Sequence, residues 1–272
     1  MPFSAQENAS GSLENWNRFQ ARWARLKPPL RPSEEVVRAI AGAVGGHRAH
    51  VLLFGVTPEL AGIGENTTAV DHAETMIAKV WPGDTESRHA VLGRWQELPL
   101  RERIFTAAIG DGSLNTIRFA DYAIVFRELA RVLMPGARIA FRMYETPEPC
   151  ETPAQLREEV IAGRERRFHA FKWRLAMAIA AERGPDVPVA RIAQEFHREF
   201  PDLDALSRAS GWGHEDFAEM DAYKGQEAVY SFPTRRRLLD AAPRSFAQPR
   251  FVSSGEYALA ERCPIFVADF VP

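Results

Sequence analysis

Apolar positions recur at helical spacing from Leu13 to Leu26, where Trp16, Phe19, Trp23 and Leu26 fall on one stripe. Lys27-Pro28-Pro29 interrupts that stripe. Ser33 is then a natural N-cap for a second helix, with Glu34 and Glu35 in its positive first turn and Val36, Val37, Ile40 and Val44 on its apolar side. Gly45-Gly46 ends it. The pattern then changes. His50 to Phe54 is a short continuous apolar run closed by Gly55, the form taken by a strand buried on both faces. Thr67–Val70 ending at Asp71, His89–Leu92, Phe105–Ile109 and Ala137–Met143 predict further strands. Helical pieces at 73–80 and 121–133 separate them. This alternation means right-handed βαβ units and a parallel sheet.

From residue 151 the texture is helical and rich in arginine. Thr152-Pro153-Ala154-Gln155 is a capping box with proline at the first helical position. Helices are predicted over 166–181 and 189–200, with shorter pieces through Phe217 and over 235–242. His169 and Trp173, four apart, read as packing, and Arg164 to Arg167 and Arg235 to Arg237 as solvated helix faces. Strand character returns at Phe251-Val252, Tyr257–Glu261 and Ile265–Val271. The last two flank Arg262-Cys263-Pro264 and predict an antiparallel hairpin. The expected organisation is N-terminal helices forming a partial lid (1–48), a cofactor-binding core (49–148), a helical insertion over the substrate pocket (149–248) and the last strands of the core sheet (249–272).

Composition removes several classes. Apolar residues at 46% and charged residues at 26% give a soluble globule with a full core. A net charge of -2 argues against nucleic acid as a partner. Cys150 and Cys263 stand far apart, so no disulfide framework is expected and a reducing cytoplasm is the simplest home. Residues 1–12 hold no apolar run and are not expected to be a signal peptide; no stretch approaches the roughly 20 apolar residues of a membrane span. The histidines are scattered, so no metal is expected.

The candidate chemistry lies at the strand ends. In an open α/β sheet, ligands bind at the carboxyl ends of the strands where strand order reverses. Gly55 permits a tight turn there, and Asp71, at the end of the next strand, can accept both hydroxyls of a ribose. A dinucleotide fingerprint needs further glycines, whereas Gly55 is followed by Val56-Thr57-Pro58-Glu59, and Glu59 would repel a diphosphate. A nucleoside cofactor without phosphate fits better.

Five blocks in order then make the stretch 50–145 resemble class I S-adenosylmethionine-dependent methyltransferases. They are Leu53–Leu60; Ala69-Val70-Asp71 with Met76-Ile77; Gly93-Arg94-Trp95 with Leu98-Pro99; Ile109–Ser113; and Leu129–Gly136. The resemblance implies a Rossmann-like, doubly wound, mostly parallel seven-stranded sheet with an antiparallel C-terminal hairpin and a helical insertion or lid. It implies S-adenosylmethionine as cofactor and S-adenosylhomocysteine as product. Gly55 and Thr57 would line the methionine portion, Asp71 the ribose, and His72 and Met76 the adenine. Arg94 and Trp95 stand where the family has an acidic residue and an adenine neighbour, and Asp111, Gly112 and Ser113 would face the amino group and sulfonium. Leu53 also stands where an acidic residue is usual. A small-molecule acceptor would meet Arg142 and Tyr144 at the end of the fifth strand, with Trp16, Trp23 and Arg31 from the N-terminal segment, and the arginines of the insertion hint at an anionic acceptor. The resemblance leaves open a module that binds the nucleoside without transfer, or another reaction of the same cofactor. Oligomeric state is not legible.

Overall fold

The computed structural model describes residues 23, 26, 28–46 and 49–272. The predicted helix over 13–26 therefore lies, apart from Trp23 and Leu26, outside the described residues, and so does Trp16. Helix α1 (Glu34–Ala43) begins where the sequence places it: Ser33 Oγ accepts the amide of Val36 at 3.4 Å, and Val36 and Ile40 are buried.

The main sheet has seven strands in the order β3-β2-β1-β4-β5-β9-β8. They are β1 (His50–Phe54), β2 (Asn66–Asp71), β3 (Arg88–Leu92), β4 (Phe105–Asp111), β5 (Leu133–Arg142), β8 (Phe246–Val252) and β9 (Ile265–Phe270). Strands β1 to β5 are parallel, and β9 runs antiparallel between β5 and β8. Helices α2 (Glu74–Lys79) and α3 (Tyr122–Val132) supply crossovers. The continuous apolar run of β1 is explained by its position: Leu52 and Phe54 pack with Phe126 and Leu129 of α3, while Val51 and Leu53 pack with Val36 and Ile40 of α1.

Register fixes the functional edge. Phe54 pairs with both Val70 and Gly110, and Asp111 pairs with Arg142. One residue past those pairs, Gly55, Asp71 and Asp111 stand level at the carboxyl ends of β1, β2 and β4. Sheet order reverses between β1 and β4, so this is the crevice where an α/β sheet accepts a ligand.

The antiparallel pair forms further upstream than predicted. Residues 257–261 are not a strand; β8 supplies the partner of β9 instead. Leu259 sits at φ 72 ahead of a 3-10 turn, Ala260–Arg262, and the Tyr257 hydroxyl turns inward to a buried guanidinium.

The insertion comprises α4 (Pro153–Ile161), α5 (Phe168–Arg183), α6 (Val189–Glu199), α7 (Leu203–Ser210), α8 (His214–Asp221) and α9 (Arg235–Ala241). The capping box at Thr152 and Gln155 forms as the sequence predicts. The insertion is not purely helical. Asp186–Pro188 (β6) and Val229–Ser231 (β7) pair as a separate antiparallel two-stranded sheet. Helix α5 carries almost no exposed face and forms the centre of the insertion's core with Phe196, Phe200 and Trp212.

Candidate functional site at the strand ends

A cavity of about 800 Å³, counting its open mouth, lies over the carboxyl edge of β1, β2 and β4. Its floor is Phe54, Gly55, Val56, Thr57 and the strand end Asp71, continued by His72, Met76 and Trp95. Gly55 takes φ +87, a conformation that side chains rarely adopt, and its amide donates to Val70 O at 2.9 Å. A Cβ added there would stand 3.8 Å from Asp71 Oδ2, so that oxygen is directed at the turn.

The Asp71 carboxylate is divided between two tasks. Oδ1 accepts the amide of Ala73 at 2.8 Å at the entrance to α2. Burial raises the carboxyl to about 6, against the pull of the Ala73 and His72 amides. Burial lowers the neighbouring His72 to about 4, helped by the positive charge of Arg94, so its imidazole is neutral at pH 7. Trp95 is fixed by its Nε1 donating to Val70 O at 2.7 Å and by stacking on Phe54 at 5.1 Å between centroids.

The other side of the cavity is the loop after β4 and an aromatic wall. Gly112, at φ +61, packs so closely on Tyr144 that an added Cβ would lie 2.6 Å from its ring. Asn115 ties three segments together: its Nδ2 donates to Tyr144 O at 2.8 Å and Ser231 O at 2.6 Å, and its Oδ1 accepts the Tyr144 amide at 3.0 Å. Trp173 meets Tyr144, Tyr230 and Phe232 with ring centroids 5.3, 5.6 and 5.4 Å away. Trp23 and Leu30 line the same cavity as these rings.

A family model described as a methyltransferase domain matches residues 55–141, the stretch that builds this edge. The demethylmenaquinone methyltransferase of Mycolicibacterium gilvum is 29% identical over 200 residues, covering 72% of this chain and 75% of that protein. Residues 55–141 match a methyltransferase domain, and the comparisons support S-adenosylmethionine-dependent methyl transfer as the chain's activity. Solved structures agree on the fold. The Burkholderia thailandensis 1,6-didemethyltoxoflavin-N1-methyltransferase, with S-adenosylhomocysteine bound, superposes with a TM-score of 0.53 at 14% identity, over 100% of this chain and 93% of that one. A Rhodobacter sphaeroides protein described as a putative zinc-dependent alcohol dehydrogenase reaches 0.57 at 8% identity, over 96% and 97%. At such identities the likeness is one of fold alone. Among the described residues of the methyltransferase, no three His, Cys, Asp or Glu side chains gather as a metal cluster. No described helix is long and apolar enough to cross a membrane.

The cavity suits the methyltransferase's cofactor. It offers a buried carboxylate beside a glycine turn, a tryptophan fixed edge-on to a strand, and a Ser113 hydroxyl buried without a hydrogen-bond partner. Of the residues named from sequence, Gly55, Thr57, Asp71, His72, Met76, Trp95, Asp111, Gly112, Ser113, Trp23 and Tyr144 line it together. Three arginines do not. Arg94 lies outside the lining and acts on His72 through its charge. Arg31 pairs with Glu59 and lies over the Trp23 ring. Arg142, named as an acceptor contact, is fully buried and bonded to Asp111, so it offers nothing to a ligand directly. Sequence reasoning missed Asn115, Tyr230 and Phe232, and assigned Trp173 to packing alone. Asn115 lies two residues past the fourth block and carried no mark of its own; Tyr230 and Phe232 carry no local signal, because β7 is three residues long.

Proposed function

We propose that this methyltransferase alkylates a neutral, planar aromatic small molecule held against the aromatic lining of the cavity. The observation that carries the reading is that one cavity is lined both by the Asp71 carboxylate at the glycine turn and by the rings of Trp23, Tyr144, Trp173, Tyr230 and Phe232. Asp71 would accept the ribose hydroxyls and Trp95, Met76 and His72 would flank the adenine. Gly55, Thr57 and the loop Asp111–Ser113 would hold the methionine portion. Trp23, Tyr144, Trp173, Tyr230 and Phe232 present ring faces and edges, which favour stacking with a flat acceptor by about 0.5–1.5 kcal/mol per pair beyond area burial.

This reading departs from an anionic acceptor. No lysine or arginine is among the described residues lining the cavity. Two arginines of the insertion are engaged elsewhere: Arg174 pairs with Glu151, Glu159 and Glu165, and Arg235 with Glu145. The relatives named demethylmenaquinone methyltransferases are compatible with an acceptor that presents a flat ring. The cofactor supplies an electrophilic methyl on a sulfonium; the acceptor atom forms the new bond to carbon as the carbon–sulfur bond breaks, leaving S-adenosylhomocysteine. The chain's contribution is alignment and exclusion of water. Holding the reacting atoms near 3 Å can remove roughly 7–11 kcal/mol of the barrier.

The test is turnover with S-adenosylmethionine and a panel of hydroxylated aromatic rings, aliphatic amines and aliphatic carboxylates, following S-adenosylhomocysteine release and product mass. Methylation confined to aromatic members supports the reading. Methylation confined to carboxylates, or tight S-adenosylhomocysteine binding with no turnover of any aromatic member, overturns it.

A further inference from the structure

Arg142 has no exposed surface, yet every nitrogen of its guanidinium is engaged. Nε and Nη2 hold the two oxygens of Asp111, the latter at 2.9 Å. Nη1 donates to Tyr257 Oη at 2.9 Å, and Nη2 also donates to Pro29 O at 2.8 Å. Its backbone carbonyl accepts the amide of Gly112 at 2.9 Å. The Tyr144 hydroxyl donates to the same Pro29 carbonyl at 2.8 Å. Burial raises the Asp111 carboxyl from its usual range, and Arg142 opposes that rise. Burial works against the charge of Arg142, but Asp111, Tyr144 and Tyr257 together outweigh it, so the residue stays a cation.

These contacts join two separate segments of the cavity's lining. Asp111 and Gly112 form the cofactor loop. Pro29 precedes Leu30, which lines the cavity, and Arg31, which is paired to Glu59 beside the first turn. The short segment 28–31 is therefore fastened at two points, and one fastening is the side chain that also sets the cofactor loop. We infer that Arg142 is a positioning residue that couples the Asp111–Gly112 loop to the N-terminal wall, so that binding cofactor at the loop and holding residues 28–31 in place are one linked event. The inference rests on placing the cofactor's methionine end at that loop. Linkage is reciprocal: whatever loosens the wall weakens cofactor binding by the same factor.

The test measures S-adenosylhomocysteine affinity by calorimetry and hydrogen–deuterium exchange of the peptide 28–46, in wild type, Arg142→Lys and Tyr144→Phe. Lysine keeps the charge but cannot reach Asp111, Tyr257 and Pro29 together. In wild type, S-adenosylhomocysteine is expected to slow exchange of that peptide at least tenfold. In Arg142→Lys the dissociation constant rises at least tenfold and the ligand-dependent slowing disappears. Tyr144→Phe removes one of two donors to Pro29 O while keeping the ring, and gives an intermediate loss of both; it carries the test if Arg142→Lys fails to fold. A folded variant with wild-type affinity and wild-type slowing overturns the inference, as does a lower melting temperature with the ligand-dependent slowing intact. Absence of any S-adenosylhomocysteine binding to wild type instead sinks the placement of the cofactor, and the coupling with it.

Discussion

Replacing Asp71 with asparagine separates the two tasks of that carboxylate. Oδ1 accepts the Ala73 amide at 2.8 Å, and the asparagine carbonyl can do the same, so the entrance to α2 is kept. What is lost is the charged acceptor at Oδ2, beside Gly55. A hydrogen bond to a charged group contributes about 1.5–3 kcal/mol. At about 1.4 kcal/mol per tenfold, S-adenosylhomocysteine should bind about 10- to 150-fold more weakly. Wild-type affinity should also depend on pH in a defined direction. The free protein's carboxyl titrates at about 6, and the ribose needs the ionised form, so affinity is full above that pH and falls as pH drops through it. Asp71→Asn should flatten this dependence. The apo-protein moves the other way: with the folded value above the ordinary 3.8, burying the ionised form costs stability above about pH 6, a cost absent at pH values below both. At pH 7.5 the apo variant should therefore melt no lower than wild type. Calorimetry with S-adenosylhomocysteine from pH 5 to 8, with thermal melts alongside, checks all three. A variant affinity within threefold of wild type, or equal wild-type affinities at pH 5 and pH 7.5, would refute the reasoning.

Gly112→Ala meets both a positive φ and a Cβ 2.6 Å from the Tyr144 ring, so the loop must shift; cofactor affinity should fall at least tenfold by calorimetry, where an unchanged value would show a loop free to adapt. Asn115→Ala leaves the Tyr144 amide and the carbonyls of Tyr144 and Ser231 without their buried partner, at about 1–3 kcal/mol for each group left unsatisfied. Its melting temperature should drop by several degrees, and a melt superposable on wild type would refute the bridge.

The parallel sheet was legible because strands covered on both faces must be apolar throughout. Runs such as Val51–Phe54 have little else to be, and the helix starts at Ser33 and Thr152 have the caps their geometry needs. Half the site followed from the same logic, since Gly55, Asp71 and Asp111 are consecutive strand ends in register. The other half was not legible. Tyr230 and Phe232 reach the cavity through a sheet of two three-residue strands, too short for any period to register. The upstream shift of the antiparallel pair has a comparable cause: Tyr257 looks like strand sequence, but its hydroxyl is engaged with Arg142 and Ser254 inside the fold. Arg142 itself, at a strand end, reads equally well as a ligand contact or as the partner of a carboxylate, and only the register with Asp111 separates the two.

The bonds that assemble the cavity differ in their reach along the chain, and this orders its formation. The lining around Asp71 draws on residues 54–113, close enough in sequence to assemble as β1, β2 and β4 pair. The aromatic lining closes through Asn115 to Ser231, 116 residues apart, and through Tyr144 and Arg142 to Pro29, 115 and 113 residues apart. Distant closures cost more chain entropy before any contact repays it. A chain emerging from the ribosome can thus bring Gly55, Asp71 and Asp111 level while the cavity's lining still awaits residues 229–232.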